Sequence, residues 1–227
     1  MARTLAMGDI HGHLRLFEAL LEAAALTAED HLVLLGDYVD RGPDSAGVLR
    51  RIIQLGKKRR VTAIRGNHEE MMLAARGGRM DLMGDWMLNG GLETLMSYAG
   101  HRAIVRDVPA EHWHFLEKSL VDYLETDTHI FVHGNCEPDR PLGEQDDFML
   151  RWERCDVIRP HQSGKVIVCG HTPQMDGRPM NKGYAICIDT GAGHGKLLTC
   201  LDVTSGKLWQ ADAEGKVTRG HIADFEG

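Results

Sequence analysis

Five times along the chain, a short apolar run stops and gives way at once to glycine, aspartate, histidine or asparagine. Residues 5–7 lead into Gly8-Asp9-Ile10-His11-Gly12-His13, and residues 30–35 into Gly36-Asp37-Tyr38-Val39-Asp40-Arg41-Gly42. Residues 61–64 precede Gly66-Asn67-His68-Glu69, residues 128–132 end at Val132-His133-Gly134, and residues 165–169 precede Gly170-His171-Thr172. Short apolar runs bounded by glycine read as buried strands. Open α/β sheets assemble their sites at the carboxyl ends of strands, so a fold that aligns these runs brings all five clusters to one crevice.

Between the first three runs, residues 14–25, 45–55 and 69–75 carry helical spacing. This βαβαβα order predicts a layered α/β fold around a sheet with parallel strands. From residue 77 to about 127 the rhythm changes to Met-, Leu- and Trp-bearing segments broken at Asn89-Gly90-Gly91, Gly100 and Pro109. These residues predict a helical insertion, with its Met and Trp side chains in the core. Strands return at 128–132, 165–169, 184–189 and 197–202, and residues 206–227 suggest a turn, one more strand and a polar tail. Clustered short strands of this kind fit a second sheet or an antiparallel edge, giving a sandwich. The whole of residues 1–227 is expected to form one domain.

The charge balance, 26 Lys and Arg against 33 Asp and Glu, argues against nucleic acid as the main partner. Lys57-Lys58-Arg59-Arg60 reads as a solvated helix end rather than a docking patch. No apolar run is long enough to span a bilayer, and no leader pattern precedes the first strand. The five cysteines are odd in number and form no C-x-x-C pair, which points to reduced, buried thiols and a cytoplasmic location. No heptad pattern fixes an oligomeric state.

Asp9, His11, Asp37, Asn67, His133 and His171 are oxygen and imidazole donors of the kind that suits divalent first-row metals. Asp9 and His11 can reach one ion where the strand stops being regular. Asp37, with two carboxylate oxygens, can bridge two ions, and neutral Asn67 adds a ligand without adding charge. A single strand-end Asp or His is more often a turn former. Five ordered clusters are not explained that way.

GDIHGH, GDYVDRG, GNHE, VHG and GHT, in this order, resemble the signature of the metallophosphoesterases, and more narrowly the bacterial and bacteriophage branch of the PPP serine/threonine protein phosphatases. The resemblance spans Gly8 to Thr172. It implies an α/β metallophosphatase αββα sandwich, two mixed sheets flanked by helices, with metals at one sheet edge. Asp9, His11 and Asp37 would hold one metal, and Asp37, Asn67, His133 and His171 the other. Manganese is expected, and iron, zinc or cobalt also suit these donors. A bridging water or hydroxide would attack phosphorus directly, with His68 as general acid, Asp40 as its orienting partner, and Arg41 and Asn67 on the phosphoryl oxygens. This branch carries a second phosphate-binding arginine near W-x-R. In Leu150-Arg151-Trp152-Glu153-Arg154-Cys155 that position is Arg154, with Arg151 as the spare candidate.

Elementary chemistry is consistent with these roles. Two cations about 3.5–4 Å apart polarise a phosphate and acidify water. A serine alkoxide leaves poorly and needs a proton, which an imidazolium beside a carboxylate can give. An arginine fork suits phosphate. Cys136 is followed by Arg140 at the wrong spacing for a phosphocysteine route.

The resemblance therefore implies a phosphomonoesterase acting on phosphoserine or phosphothreonine, and also phosphotyrosine, in proteins or peptides. The alternative is a symmetrical dinucleoside polyphosphate hydrolase. That subgroup tends to replace the second Asp of GDYVDRG and to read GNHD, whereas this chain has Asp40 and Glu69. Asn89-Gly90-Gly91-Leu92-Glu93-Thr94 is also similar to the N-G-G-x-x-T of the bacterial protein phosphatases. A non-catalytic metal-binding scaffold is the third reading, and the full set of ligands weighs against it. His13, at the end of the first motif, is read as lying behind the ligands or facing solvent rather than as a ligand. His112, His114, His129 and His194 fall outside every motif and are expected in ordinary polar roles.

Overall fold

The computed structural model describes residues 2–78 and 80–226. Strands β1 (Thr4–Met7), β2 (His31–Leu34) and β3 (Arg60–Ala63) run parallel, and β9 (Leu198–Asp202), β10 (Lys207–Ala211) and β11 (Val217–His221) continue antiparallel from the far side of β1. The first sheet thus has the order β11-β10-β9-β1-β2-β3. The second comprises β4 (Tyr123–Glu125), β5 (His129–Val132), β6 (Val166–Cys169), β7 (Met180–Asn181) and β8 (Ala185–Cys187), in the order β4-β5-β6-β8-β7. Within it β5, β6 and β8 are parallel, while β4 and β7 are antiparallel to their neighbours.

The central strands β1, β2, β5, β6 and β8 are largely apolar because both of their faces are covered, whereas the edge strand β11 is polar and exposed. Side chains alternate between faces along a strand, and the alternation sorts them into separate cores. Leu5, Met7, Leu32 and Leu34 face the helices α1 (Leu14–Ala24) and α2 (Ser45–Gly56), together with Phe17, Leu20, Val48 and Leu49. Ala6, Val33 and Leu35 face the other way and meet Phe131, Val168 and Ile186 of the second sheet. Ile130, Val132, Ile167 and Cys169 point outward again, under Leu142, Leu150, Cys155 and Ile158. The result is the expected αββα sandwich of two mixed sheets flanked by helices.

After β3 come α3 (Asn67–Arg76), α4 (Met80–Trp86), α5 (Leu92–Ala99) and α6 (Ala110–Lys118). A single π turn, Met87–Gly91, joins α4 to α5, and there Gly90 leaves helical geometry at φ 104°. A short helix α7 (Asp147–Arg151) lies between β5 and β6. Two details differ from the sequence reading. β4 falls inside the stretch expected to be helical; it is a three-residue edge strand, too short for a period of two to register. The C-terminal segment holds two strands, β10 and β11, rather than one.

The start of β1 is tied to the α1–β2 turn through Asp30. Its carboxylate accepts from Arg3 N at 3.0 Å, Arg3 Nε at 3.2 Å, Arg3 Nη2 at 2.6 Å and Thr27 N at 2.8 Å. The Arg3 guanidinium beside it holds the carboxyl well below the usual carboxylate range. A depressed carboxyl contributes stability above its unfolded pKa of about 3.9, and that contribution fades as pH falls towards the folded value. Asp30→Asn is expected to lose about 1–3 kcal/mol at pH 7. Urea unfolding at a series of pH values should show the gap to wild type closing below about pH 4.

Candidate metal centre

Backbone strain marks the site before any side chain is considered. Among the described residues, six non-glycine residues have positive φ: His11, Ala25, Asp37, Asp40, Arg41 and His171. All but Ala25 belong to the strand-end clusters. Such conformations cost of order 1–3 kcal/mol each and persist where the surroundings over-determine them.

The surroundings here are the ends of the two sheets, locked together. His11 N and Ile10 N donate to Asp37 O at 2.8 and 3.1 Å, and Gly170 N donates to His133 O at 2.9 Å. Across the sandwich, His171 N donates to Asp9 Oδ2 at 2.9 Å. Gly36, at φ 108°, lies so close to the second sheet that a Cβ would stand 2.6 Å from His133 Nδ1. No larger residue fits that turn.

Each candidate metal-binding histidine is oriented by a backbone carbonyl. His11 Nδ1 faces Val39 O at 2.9 Å, His133 Nδ1 faces Leu35 O at 2.8 Å, and His171 Nε2 faces Trp152 O at 2.8 Å. A carbonyl can only accept, so each of these nitrogens carries the hydrogen. Burial pushes the His11 and His171 rings down and His133 to about 4, so all three are neutral at pH 7. Their second nitrogens are then acceptors, and that of His11 meets the Arg41 Nη1 donor at 3.0 Å. His11 Nε2 looks at Asp37 Oδ2 across 3.5 Å, and His133 Nε2 at Asp37 Oδ1 across 3.3 Å. Asn67 Oδ1 lies 3.0 Å from both His133 Nε2 and His171 Nδ1. Asp9 Oδ1 is buried with no hydrogen-bond partner. Lone pairs that face one another without a proton between them are satisfied by a cation. The donor set therefore fits divalent ions, with Asp37 turning one oxygen to each half of the site.

The remaining clusters surround this core. His68 Nδ1 pairs with Asp40 Oδ2 at 2.7 Å. Asp40 is fully buried and also accepts from Trp86 Nε1 at 2.9 Å and Thr94 Oγ1 at 2.6 Å. Burial pushes Asp40 up, against those three bonds. Burial also opposes charge on His68, but the Asp37 and Asp40 carboxylates outweigh it and raise its pKa. The Asn89–Thr94 motif thereby acquires a physical role, because Thr94 fixes Asp40 and Gly90 presses on Arg41. A Cβ on Gly90 would stand 2.5 Å from Arg41 N. Trp86, expected as core, is buried but also serves Asp40 through its indole N–H.

Glu69 binds the second and third clusters into one unit. Its carboxylate accepts from Asp37 N at 2.9 Å, Tyr38 N at 2.7 Å and Gly66 N at 2.9 Å. Arg41 Nη1 reaches His11 Nε2 at 3.0 Å and His194 Nε2 at 3.5 Å. Arg154 stands at the exposed rim, paired with Asp156 at 2.7 Å, near enough to oppose charge on His171. Arg151 is buried in an ion-pair cluster with Glu70, Asp122 and Asp147.

Two residues escaped the sequence reading. Asp189 is buried beside Asp9; burial and the Asp189 and Asp37 charges raise Asp9, while burial and Asp37 raise Asp189 to about 7. It follows β8 in Ile188-Asp189-Thr190-Gly191, the same strand-end pattern as the other clusters. His194, expected to be an ordinary polar residue, stands over Arg41 instead. His112 bonded to Tyr98 and His129 bonded to Thr128 do have such roles.

A family model for calcineurin-like phosphoesterases matches residues 2–175. The chain is 32% identical over 203 residues to serine/threonine-protein phosphatase 1 of Salmonella typhimurium, covering 85% of this chain and 88% of that protein. It is 28% identical over 265 residues to a symmetrical bis(5'-nucleosyl)-tetraphosphatase of Chromohalobacter salexigens, covering 90% and 96%. Among solved structures, a candidate diadenosine tetraphosphatase superposes with a TM-score of 0.67 at 21% identity, covering 97% of this chain and 93% of its own. That likeness concerns the fold. Among the described residues, no helix is long and apolar enough to cross a membrane.

Because Asp37 serves both halves of the site, Asp37→Asn is expected to bind neither ion, and Asp9→Asn to keep one. Metal analysis after gel filtration checks this. Loading should also release protons, since a cation displaces those held by Asp189, raised to about 7, and by the raised Asp9 carboxyl. Calorimetric heats that depend on buffer ionisation would report the release.

Proposed function

The chain belongs to the calcineurin-like phosphoesterase family, and from that premise we propose that it is a metal-dependent phosphomonoesterase acting on phosphoserine and phosphothreonine in proteins. One observation carries the choice of substrate: the His68–Asp40 pair at 2.7 Å, with Asp40 fixed by Trp86 and Thr94. Such a pair is a built proton donor. A serine or threonine alkoxide needs one, whereas the phosphate leaving group of a dinucleoside polyphosphate does not. The full-length relationship to a protein named as a serine/threonine phosphatase supports the same choice.

Asp9, His11, Asp37, Asn67, His133 and His171 would hold two divalent ions, manganese being our expectation. Bound there, the ions would neutralise the phosphoryl oxygens and acidify the attacking water. The chain's own groups do the rest. Arg41 leaves His11 Nε2 when that nitrogen ligates, and its fork turns to the phosphoryl oxygens, joined by Arg154 from the rim. Asn67 contributes a further contact to the phosphate. Protonated His68 gives its Nε2 proton to the departing ester oxygen. Asp40 keeps the Nδ1 hydrogen and stabilises the imidazolium up to that moment.

The second reading, hydrolysis of dinucleoside polyphosphates, is favoured by the tetraphosphatases among the relatives. Purified protein with Mn2+ on a phosphoserine peptide, p-nitrophenyl phosphate and diadenosine tetraphosphate separates the two. Rapid cleavage of the dinucleotide with little peptide turnover would overturn our reading. His68→Asn should slow the phosphoserine peptide by about 10²–10⁴-fold and p-nitrophenyl phosphate far less, since nitrophenolate leaves without a proton. Its metal content should be unchanged; loss of metal would make His68 a ligand. Trp86→Phe and Thr94→Val each remove one donor from Asp40 and should slow the peptide reaction roughly tenfold.

A further inference from the structure

A second donor cluster lies behind the metal centre, and nothing in the phosphatase chemistry uses it. Cys155, Cys169 and Cys187 present three sulfur atoms that all lie within 4.8 Å of one another. All three residues are completely buried. They come from three elements: Cys169 and Cys187 are register partners at the ends of β6 and β8, and Cys155 begins the 3₁₀ turn Cys155–Val157 that covers them. None is in a disulfide.

Buried cysteines are most often small apolar residues, and three of them scattered through a core would need no other account. These three converge. A tetrahedral or trigonal ion with metal–sulfur bonds of about 2.3 Å holds its sulfurs about 3.8–4 Å apart. The cluster therefore needs to close by less than about 1 Å to ligate. Lys182 is close enough to stabilise negative charge on Cys155. No carboxylate or imidazole belongs to the group, so oxygen-preferring ions such as Mg2+ and Mn2+ find no ligand of their kind.

We propose that Cys155, Cys169 and Cys187 form a separate all-sulfur site for one thiophilic d10 cation, Zn2+ or Cu+ in kind. Each sulfur that ligates gives its thiol proton to solvent, and the ion stays bound to the three thiolates. The site adjoins the phosphatase centre. Cys187 Sγ lies 3.4 Å from both Gly170 O and Thr172 O, and Cys155 N donates to Thr172 Oγ1 at 2.9 Å. Those residues flank His171, so an ion held by the three sulfurs braces that loop from behind.

Cd2+ is the probe, because a thiolate ligand gives it an ultraviolet charge-transfer absorption that oxygen and nitrogen ligands do not. The full chain carrying Asp37→Asn, with the other centre disabled, is expected to take up one Cd2+ with that absorption and to show three sulfur neighbours in its cadmium-edge X-ray absorption. The band should also appear in wild type. Adding Cys155→Ala or Cys187→Ala should abolish it. The absence of the band from both cysteine-intact chains, a cadmium shell of oxygen and nitrogen only, or a band that survives both cysteine substitutions would each overturn the proposal. The X-ray measurement uses intact cysteines, so it decides even where a substituted chain fails to fold.

Discussion

The site depends on one buried carboxylate bound to backbone amides. Glu69 is fully buried, and burial with the nearby Asp37 pushes its carboxyl up to about 7. Its oxygens collect the amides of Asp37, Tyr38 and Gly66, so the turn after β2 and the start of α3 become one rigid piece. In return, Asp37 Oδ1 accepts from His68 N at 3.1 Å at the amino end of α3, where a helix favours negative charge. Asp37 cannot serve two ions unless its two oxygens keep fixed directions. The Glu69 bonds fix the backbone that aims them, and His11, His133 and His68 are arrayed around the result.

The helical segment between β3 and β4 supplies the next constraint. A His–Asp pair is useful as a proton donor only if the carboxylate stays where the ring needs it. Asp40 sits at φ 72° in a turn with no regular structure, and a carboxylate placed there would otherwise swing. Trp86 from α4 and Thr94 from α5 hold it through side-chain bonds, and Thr94 Oγ1 also accepts from Asp40 N at 2.8 Å. The π turn between those helices, with Gly90 against Arg41 N, sets both donors at the right height. In the proposed reaction the insertion would thus hold the proton donor that an alkoxide leaving group needs and a phosphate one does not. Substrate selectivity need not reside in the insertion's outer surface alone.

What could be read from the sequence and what could not divide along a physical line. Strand ends are local features, so Asp9, His11, Asp37, Asn67, His133 and His171 stood out from apolar runs and glycines alone. The two-sheet sandwich followed from the clustered short strands of the second half and from the family resemblance. Contacts between distant segments left no such mark. Trp86 and Thr94 look like core and motif until Asp40 is placed between them. His194 has no flanking pattern, and it matters only because the Gly191–Gly195 loop folds over Arg41. Asp189 was legible in principle, since it repeats the strand-end pattern, but its run was counted as a strand and its terminus passed over. Arg154 fits a sequence pattern, and in the fold it pairs with Asp156 at 2.7 Å.

Charge and strain together explain why such a site calls for its ions. Asp9, Asp37 and Asp189 lie buried within reach of one another, and the nearby His11, His133 and His171 rings are neutral at pH 7. Five residues of the clusters also hold a left-handed backbone, each at a cost of order 1–3 kcal/mol. Neither term is fully offset within the chain, because the His133 and His171 nitrogens face Asn67 Oδ1 with no proton between them. A cation between them relieves the repulsion and satisfies those lone pairs in the same step. Ions bound only by the folded chain stabilise it by RT ln(1 + [L]/Kd), about 2.7 kcal/mol at a hundredfold excess over Kd. Folding and metal loading are therefore coupled through the same residues. The strain that would leave a bare chain less stable is what holds the ligands ready for an ion.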